Sequence, residues 1–260
     1  MQVTELELIR HLDRLGARAW PAAEVASLDG WHARFCEGGT RRANAVWAQA
    51  SGNEISLEQK LAQVEAFYAA HQQPARYQIS PAAEPADLDQ RLAERGYRQL
   101  AITAVQATEL TNILQHTQPL RLFPEFEVEV AEAFDEGCFA AFTAVEHPGE
   151  PQNETRRGIL QRITANTGYV QLRIGGETAA VALGVLEEDW IGVYCLATAP
   201  GYRRRGAASA LLRTLAIWAQ LYEARFAYLQ VMEENGAAQA LYQRAGFTTL
   251  YHYHYREQEV

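Results

Sequence analysis

Ala199-Pro-Gly-Tyr-Arg-Arg-Arg-Gly-Ala-Ala-Ser-Ala-Leu-Leu212 is the stretch on which the fold of this chain turns. Arg203, Gly206 and Ala208 set an R-x-x-G-x-A pattern between a strand-like run, Trp190 to Thr198, and a helical pattern from Gly206 to about Tyr222 with Leu211, Leu215 and Trp218 on one face. Glycine and alanine leave the backbone N–H groups at the helix start unobstructed, and the helix dipole adds positive potential there. Such a turn suits a pyrophosphate. Arg203, Arg204 and Arg205 bring charge to its rim, within reach of a phosphorylated ribose. A solvated basic turn with a helix cap explains the same residues in isolation, so the surrounding order of elements has to decide.

Upstream, Tyr169 to Ile174 and Thr178 to Leu186 flank a Gly175-Gly176 turn as two strands of a hairpin. Downstream, strand Phe226 to Val231 leads to a helix from about Gly236 to Gly246, and strand Phe247 to Tyr255 closes the chain. The first half shows the same order. Thr4 and Glu7 form a capping box for a helix that Gly16 can end; Gly30 to Phe35 and Arg42 to Trp47 are strands around Gly38-Gly39; Ser56 and Gln59 cap a helix over 57–71. Strand Arg76 to Ile79, a helix with Leu88 and Leu92 closed by Gly96, and strand Tyr97 to Ala107 follow. Arg91-Leu-Ala-Glu-Arg-Gly-Tyr97 and Leu241-Tyr-Gln-Arg-Ala-Gly-Phe247 both end a helix on glycine and enter an aromatic-led strand, which suggests two copies of one plan. Residues 108–165 connect them, with Pro119, Pro124, Pro148 and Pro151 and a helical stretch from Ala131 to Val145. The boundary is placed near 115, giving lobes 1–115 and 116–260.

Composition narrows the function. The 260 residues are 48% apolar and 21% charged, which predicts a folded globular chain, and 23 Lys plus Arg against 32 Asp plus Glu leave a net charge of -9. That sign argues against nucleic acid and anionic membranes as partners. No apolar run reaches the roughly 20 residues of a membrane span, and the acidic start is unlike a secretory signal, so a cytoplasmic location is expected. Cys36, Cys138 and Cys195 are odd in number and widely spaced, suggesting neither a disulfide frame nor a zinc site.

A nicotinamide-type site has its glycines after the first strand of a parallel sheet. Here the loop follows a third strand and a long hairpin, and there is no Walker lysine. Instead, Val193-Tyr-Cys-Leu-Ala-Thr-Ala-Pro200, Gly201-Tyr-Arg-Arg-Arg-Gly-Ala-Ala208 and Val231-Met-Glu-Glu-Asn-Gly-Ala-Ala-Gln-Ala-Leu-Tyr-Gln-Arg-Ala-Gly-Phe247 resemble, in order and spacing, the GNAT superfamily of acyl-CoA-dependent N-acyltransferases. The resemblance covers about residues 168–256. Leu28-Asp-Gly-Trp-His-Ala-Arg-Phe35 and Thr40-Arg-Arg-Ala-Asn44 look like the N-terminal region of tandem members, with a degenerate first lobe that binds no second cofactor.

The resemblance implies an α/β (α+β) fold of two lobes, each a mixed, mostly antiparallel sheet flanked by helices. It implies acetyl-CoA as cosubstrate, held by Leu196, Ala197 and Thr198 along the pantetheine, by Arg203, Arg204, Arg205, Gly206, Ala207, Ala208 and Ser209 around the diphosphate, and by Asn235 and Ala238 at the last helix. Tyr242 matches the tyrosine beside the thioester sulfur, where its phenol could protonate the departing thiolate. The expected activity is acetyl transfer to a primary amine, a small molecule or a peptide, with a homodimer left open. A non-catalytic acyl-CoA sensor is the alternative, because the strand carboxylate of many relatives is replaced by Tyr194 and Cys195. Glu146, Glu187 or a water chain are the candidates for the base, and Cys195 resembles a small buried hydrophobe more than a nucleophile. Tyr251-His-Tyr-His-Tyr255 puts tyrosines and histidines on opposite strand faces, the aromatic face a candidate wall of the acceptor cleft.

Overall fold

Local capping chemistry sets the first helix starts. In the computed structural model, which describes residues 4–259 apart from 38–39, 51, 53, 121–122 and 147–149, α1 (Glu5–Ala19) opens on Thr4. The Thr4 hydroxyl accepts the Glu7 N–H at 3.3 Å and the Glu7 carboxylate accepts the Thr4 N–H at 2.7 Å. Ser56 and Gln59 repeat the device at α2 (Leu57–Ala70). Gly16 does not end α1: it is buried inside the helix, which stops at Trp20, where Pro21 disfavours the α region.

The expected turn at Gly38-Gly39 lies outside the described residues. A tighter hairpin precedes it. Asp29 and Gly30, with φ of 43° and 87°, form the two-residue left-handed turn between β1 (Glu24–Leu28) and β2 (Trp31–Phe35). β2 then pairs antiparallel with β3 (Val46–Ala48), Trp31 opposite Ala48, while Arg41–Ala43 forms a 3-10 turn where strand was expected.

The chain divides into two compact units, the first Met1–Ala104, Glu154–Arg162 and Tyr251–Val260, the second Val105–Asn153 and Ile163–Leu250. The units are thus discontinuous in sequence, where a single cut near 115 was expected. In the first, β4 (Arg76–Ile79) lies parallel to β3 after the α2 crossover, and β11 (Thr248–Glu257) lies antiparallel to β4. Trp31, Leu61, Val64, Tyr68, Tyr77 and, from α3 (Leu88–Glu94), Leu88 and Leu92 fill its core.

The second unit orders its strands β5 (Arg98–Glu109), β10 (Phe226–Met232), β9 (Trp190–Thr198), β8 (Glu177–Glu187), β7 (Asn166–Ile174) and β6 (Phe126–Ala131). From β6 to β9 the pairing is antiparallel; β10 joins β9 in parallel after α7 (Ala207–Leu221). The segment expected to be mostly connection also holds α4 (Leu110–His116), α5 (Glu136–Glu146) and α6 (Glu150–Gln161), and its helical reading began too early because Val128 and Val130 alternate in β6. The last helix is α8 (Gly236–Arg244). Strand, helix, parallel strand, helix, strand therefore occurs twice, as β3-α2-β4-α3-β5 and β9-α7-β10-α8-β11. No helix among the described residues is long and apolar enough to cross a membrane.

α7 lies close on the second sheet because two strand positions opposite it lack a side chain. A Cβ on Gly184 would come within 2.8 Å of Leu215, and one on Gly168 within 3.0 Å of Trp218. Trp218 Nε1 and the Tyr222 hydroxyl both donate to Glu132 just after β6, at 2.8 and 2.6 Å, and Arg213 donates to the carbonyls of Leu114 and Thr117 at 2.8 Å each. The C-terminal end of α4 and the edge of the sheet thereby fix the helix axis, and with it the loop at its start.

The first unit is tied by a buried carboxylate. Asp13 of α1 accepts the hydroxyls of Tyr251 and Ser80, each at 2.7 Å, and the side-chain amide of Gln49. Burial pushes its carboxyl up to about 6 even though the three donors pull the other way. A folded-state value above the unfolded one means that the native protein holds the extra proton, so this group's contribution to stability falls as pH rises through that window. Asp13→Asn is therefore expected to gain about 2 kcal/mol relative to the unmodified protein from about pH 4 to about pH 7. Urea unfolding of both proteins across that range measures it, and a constant difference would show that Asp13 titrates normally.

Candidate active site

β9 has two neighbours for only part of its length. β10 pairs with it over four positions, from Phe226 opposite Trp190 to Leu229 opposite Val193, while β8 continues alongside to Thr198. Just beyond the last β10 pair the register with β8 slips: Leu183 faces Tyr194 but Val181 faces Ala197. The extra residue is a β-bulge, and Cys195, at φ 49°, carries its left-handed turn. Cys195, Leu196, Ala197 and Thr198 are half-buried, and among the described residues the β10 ladder does not extend to Leu196, Ala197 or Thr198. No feature of the sequence announced this bulge; a cysteine with positive φ is uncommon and local pattern does not betray it.

Beside the bulge, the Tyr194 and Tyr228 hydroxyls are hydrogen-bonded at 2.9 Å, buried on the sheet face opposite α7. Gly192 makes room for them, since its Cβ would stand 2.6 Å from the Tyr194 ring and 2.8 Å from Tyr228. A phenol pair thus stands where relatives were expected to have a carboxylate.

β9 runs into the 3-10 turn Pro200–Tyr202 and then the arginines. Arg204, at φ 64°, and Gly206, at φ 88°, turn the chain so that Gly206 becomes the N-cap of α7 with no side chain to satisfy the first N–H groups. The first intrahelical bond goes from the Ala210 N–H to the Gly206 carbonyl at 2.9 Å, leaving the N–H groups of Ala207, Ala208 and Ser209 for a ligand. Arg203, Arg204 and Arg205 are exposed around this cradle; Arg203 Nε donates to the Thr198 carbonyl at 3.3 Å, and Arg205 lies over the Tyr202 ring at 5.8 Å. The hollow suits an anion with several oxygens, such as a diphosphate.

α8 follows β10 and is N-capped by Asn235, whose side chain accepts the Ala238 N–H at 3.1 Å. The Ala238 N–H, expected to meet cofactor, is satisfied within the helix. Tyr242 is buried against Phe247, the rings 5.9 Å apart, and its hydroxyl has no hydrogen-bond partner among the described residues. Burial pushes this phenol up to about 12. Glu187 pairs with Trp190 at the far end of β9, about 17 Å of strand from the bulge. Glu146 closes α5.

The remaining candidates serve the first unit's core. Tyr251, Tyr253 and Tyr255 are buried there, and His254 contacts Asp89 at 2.7 Å. Arg42 packs over Trp20 at 5.7 Å, and the Asn44 side chain accepts the Cys36 N–H at 2.8 Å. No group of three or more His, Cys, Asp and Glu side chains among the described residues is placed to hold a metal. The loop of the first unit that corresponds to the arginine loop, between β3 and α2, carries its own anion. The Asp29 carboxylate accepts the N–H groups of Glu54 and Ile55 at 3.4 and 3.3 Å, and the buried Lys60 ammonium holds Asp29 at 3.0 Å.

An antiparallel meander, a bulged strand parting from its parallel neighbour and a bare helix N-terminus at the parting define the fold of the GCN5-related N-acetyltransferases. A GCN5-related N-acetyltransferase from Kribbella flavida superposes with a TM-score of 0.70 at 18% identity, covering 95% of each chain. A tandem GNAT protein from the clavulanic acid biosynthesis pathway does so at 0.63 and 9% identity, over 95% of this chain and 87% of its own. The chain belongs to the acetyltransferase family described as "Probable histone acetyltransferase Rv0428c C-terminal", whose model matches residues 7–256. It is also 28% identical over 250 residues to YobR of Bacillus subtilis (strain 168), described as an uncharacterised N-acetyltransferase, covering 95% of this chain and 98% of that one.

The phenol pair depends on the missing side chain at Gly192. Gly192→Ala is expected to lower stability by about 1 to 3 kcal/mol, the usual cost of overpacking a filled site. Chemical denaturation reads the loss, and an undisturbed variant would show that the rings shift freely.

Proposed function

We propose that the second unit transfers an acetyl group from acetyl-CoA to a primary amine by direct attack of the amine on the thioester. The observation that carries this is the conjunction of the β9 bulge with the uncapped start of α7 on one strand-loop-helix segment. It offers an open strand edge at one end and an anion cradle at the other. Leu196, Ala197 and Thr198 would pair with the pantetheine amides through their backbone, and the N–H groups of Arg204 to Ser209 would hold the diphosphate, with the three arginines around it. Acetyl-CoA supplies the activated acyl group.

The chain's own part is positional and electrostatic. Placing the amine beside the carbonyl removes much of the entropic barrier, and backbone donors near Leu196 stabilise the charge that develops on the carbonyl oxygen. With its phenol pushed up to about 12, Tyr242 is a weaker acid than a thiol of reference value about 8.5. It therefore stabilises the departing sulfur by donating a hydrogen bond rather than by giving up its proton. Water takes the proton of the amine, in keeping with the paired phenols of Tyr194 and Tyr228 beside the bulge. One acetyl-CoA binds per chain, because Asp29 already occupies the corresponding loop of the first unit.

Gly206→Asp is expected to abolish acetyl-CoA binding in a folded protein. It places a negative charge in the cradle at a left-handed position unfavourable to any L side chain. Calorimetry on the unmodified protein should give one site per chain; retained affinity in the folded variant would refute the cradle. Tyr242→Phe should lower kcat about 10- to 100-fold, the worth of one hydrogen bond to a charged group, with acetyl-CoA affinity intact. Release of free CoA thiol with an amine acceptor measures it and separates an enzyme from a sensor, and an unchanged kcat would leave Tyr242 as packing.

A further inference from the structure

Two aromatic rings stand at the rim of the cradle, and they are held differently. Tyr202, in the loop itself, donates its hydroxyl to Glu177 at 2.5 Å, and the Arg205 guanidinium lies over its ring at 5.8 Å. Phe123 comes from the segment ahead of β6. A Cβ on Gly206, the N-cap of α7, would stand 3.2 Å from Phe123 Cε1 and 3.3 Å from Phe123 Cζ, so an edge of this ring abuts the backbone that leads into the free N–H groups.

Local bonding fixes that ring. The Phe123 N–H donates to the Leu120 carbonyl at 2.8 Å and the Phe126 N–H to the Phe123 carbonyl at 3.0 Å, two successive turns that bring residues three apart onto one side. The rings of Phe123 and Phe126 then stack, with centroids 4.8 Å apart and planes 6° from parallel. Phe126 takes one face of Phe123 and Gly206 takes one edge, yet Phe123 is only half-buried. The exposure that remains belongs to the parts of the ring turned away from those two contacts.

We propose that Phe123 is the shelf on which the adenine of acetyl-CoA stacks, so that the base as well as the diphosphate is recognised. The proposal rests on the acetyl-CoA reading of the second unit. Leu196 to Thr198, along which the pantetheine would pair, lie where among the described residues the β10 ladder no longer accompanies β9, while Phe123 leads into β6, three strands from β9 on its other side. A diphosphate at the start of α7 sits between the two. Its pantetheine end turns toward β9, and its ribose end, one sugar away from the base, turns toward Phe123. A purine offers a broad π face, and a ring already fixed in place loses little freedom when a base settles on it. Tyr202 is engaged elsewhere, with Arg205 over its ring and Glu177 on its hydroxyl.

S-acetyl-4′-phosphopantetheine carries the same thioester without the base, so the two thioesters together separate stacking from a general loss of the cradle. In calorimetry on the full chain, Phe123→Ala is expected to weaken acetyl-CoA about 10- to 100-fold, within the range for one base on one aromatic ring, and to leave the Kd for S-acetyl-4′-phosphopantetheine unchanged. Phe123→Trp keeps a shelf. It should hold acetyl-CoA as tightly as the unmodified protein, and the emission of the added tryptophan should fall when acetyl-CoA binds but not when S-acetyl-4′-phosphopantetheine does. Acetyl-CoA affinity untouched by Phe123→Ala overturns the proposal. An equal loss for both thioesters overturns it too, because the ring would then only cover the helix start. Should Phe123→Ala fail to fold, or the baseless thioester bind too weakly to titrate, Phe123→Trp decides: quenching by acetyl-CoA supports the shelf, and emission indifferent to bound acetyl-CoA overturns it. Failure of the unmodified protein to bind acetyl-CoA is a different result, since it strikes the reading of the second unit and the shelf with it.

Discussion

A backbone strand that loses one of its two partners has to place its amide groups somewhere, and in the second unit that constraint organises everything near the candidate site. β9 is bonded on both sides as far as Val193 and on one side beyond it. Buried amides left without partners are costly, on the order of 1 to 3 kcal/mol each. The one-residue bulge at Cys195 re-aims them into an opening where water or an extended ligand can meet them. Gly192 belongs to the same arrangement, because two tyrosine rings occupy the space its side chain would take. A strand that began as sheet interior thus ends as a docking edge.

The cradle at α7 depends on that edge, because the same segment makes both. A helix N-terminus attracts anions wherever it occurs. What distinguishes this one is that Gly206 supplies no capping side chain and that α7 is clamped along its length by Gly184, Gly168, Glu132 and Arg213. A fixed helix presents its first N–H groups in a fixed geometry, and preorganised donors lose little on binding. The first unit shows the same segment put to a different use. Its helix start is capped by Ser56, and its loop amides donate to Asp29, which Lys60 holds in place. One supersecondary plan therefore gives an open anion site in one copy and an internally satisfied loop in the other. The difference lies in Ser56, which caps the helix start where the other copy has Gly206, and in Asp29, which the β1–β2 turn supplies to the loop amides.

Much of this was legible in the chain. Capping boxes at Thr4 and Ser56, the Gly175-Gly176 turn and the run from Trp190 to Thr198 are local signals, since a helix start or a tight turn is decided by residues within about four positions of it. The arginine loop was legible for the same reason: small residues at a strand-to-helix junction state their chemistry without help from distant parts. Hairpin β1-β2 was missed although Asp29-Gly30 signals it, because the exposed β1 has no apolar alternation to confirm a strand.

The tertiary structure decided what depends on partners remote in sequence. Tyr251, Tyr253 and Tyr255 alternate with histidines in any strand, but only packing makes that face the core of the first unit, with Tyr251 bonded to Asp13. Ala238 looked available for a ligand until Asn235 took its N–H. The bulge at Cys195 arises where β9 keeps β8 as a neighbour but loses β10, and α5 comes to lie over β8 and β9, neither of which any short stretch encodes. Sequence by itself determined the elements and the anion loop, because those interactions span a few residues. Which amides, phenols and charges were left free to act was settled only when strands far apart in the chain were paired.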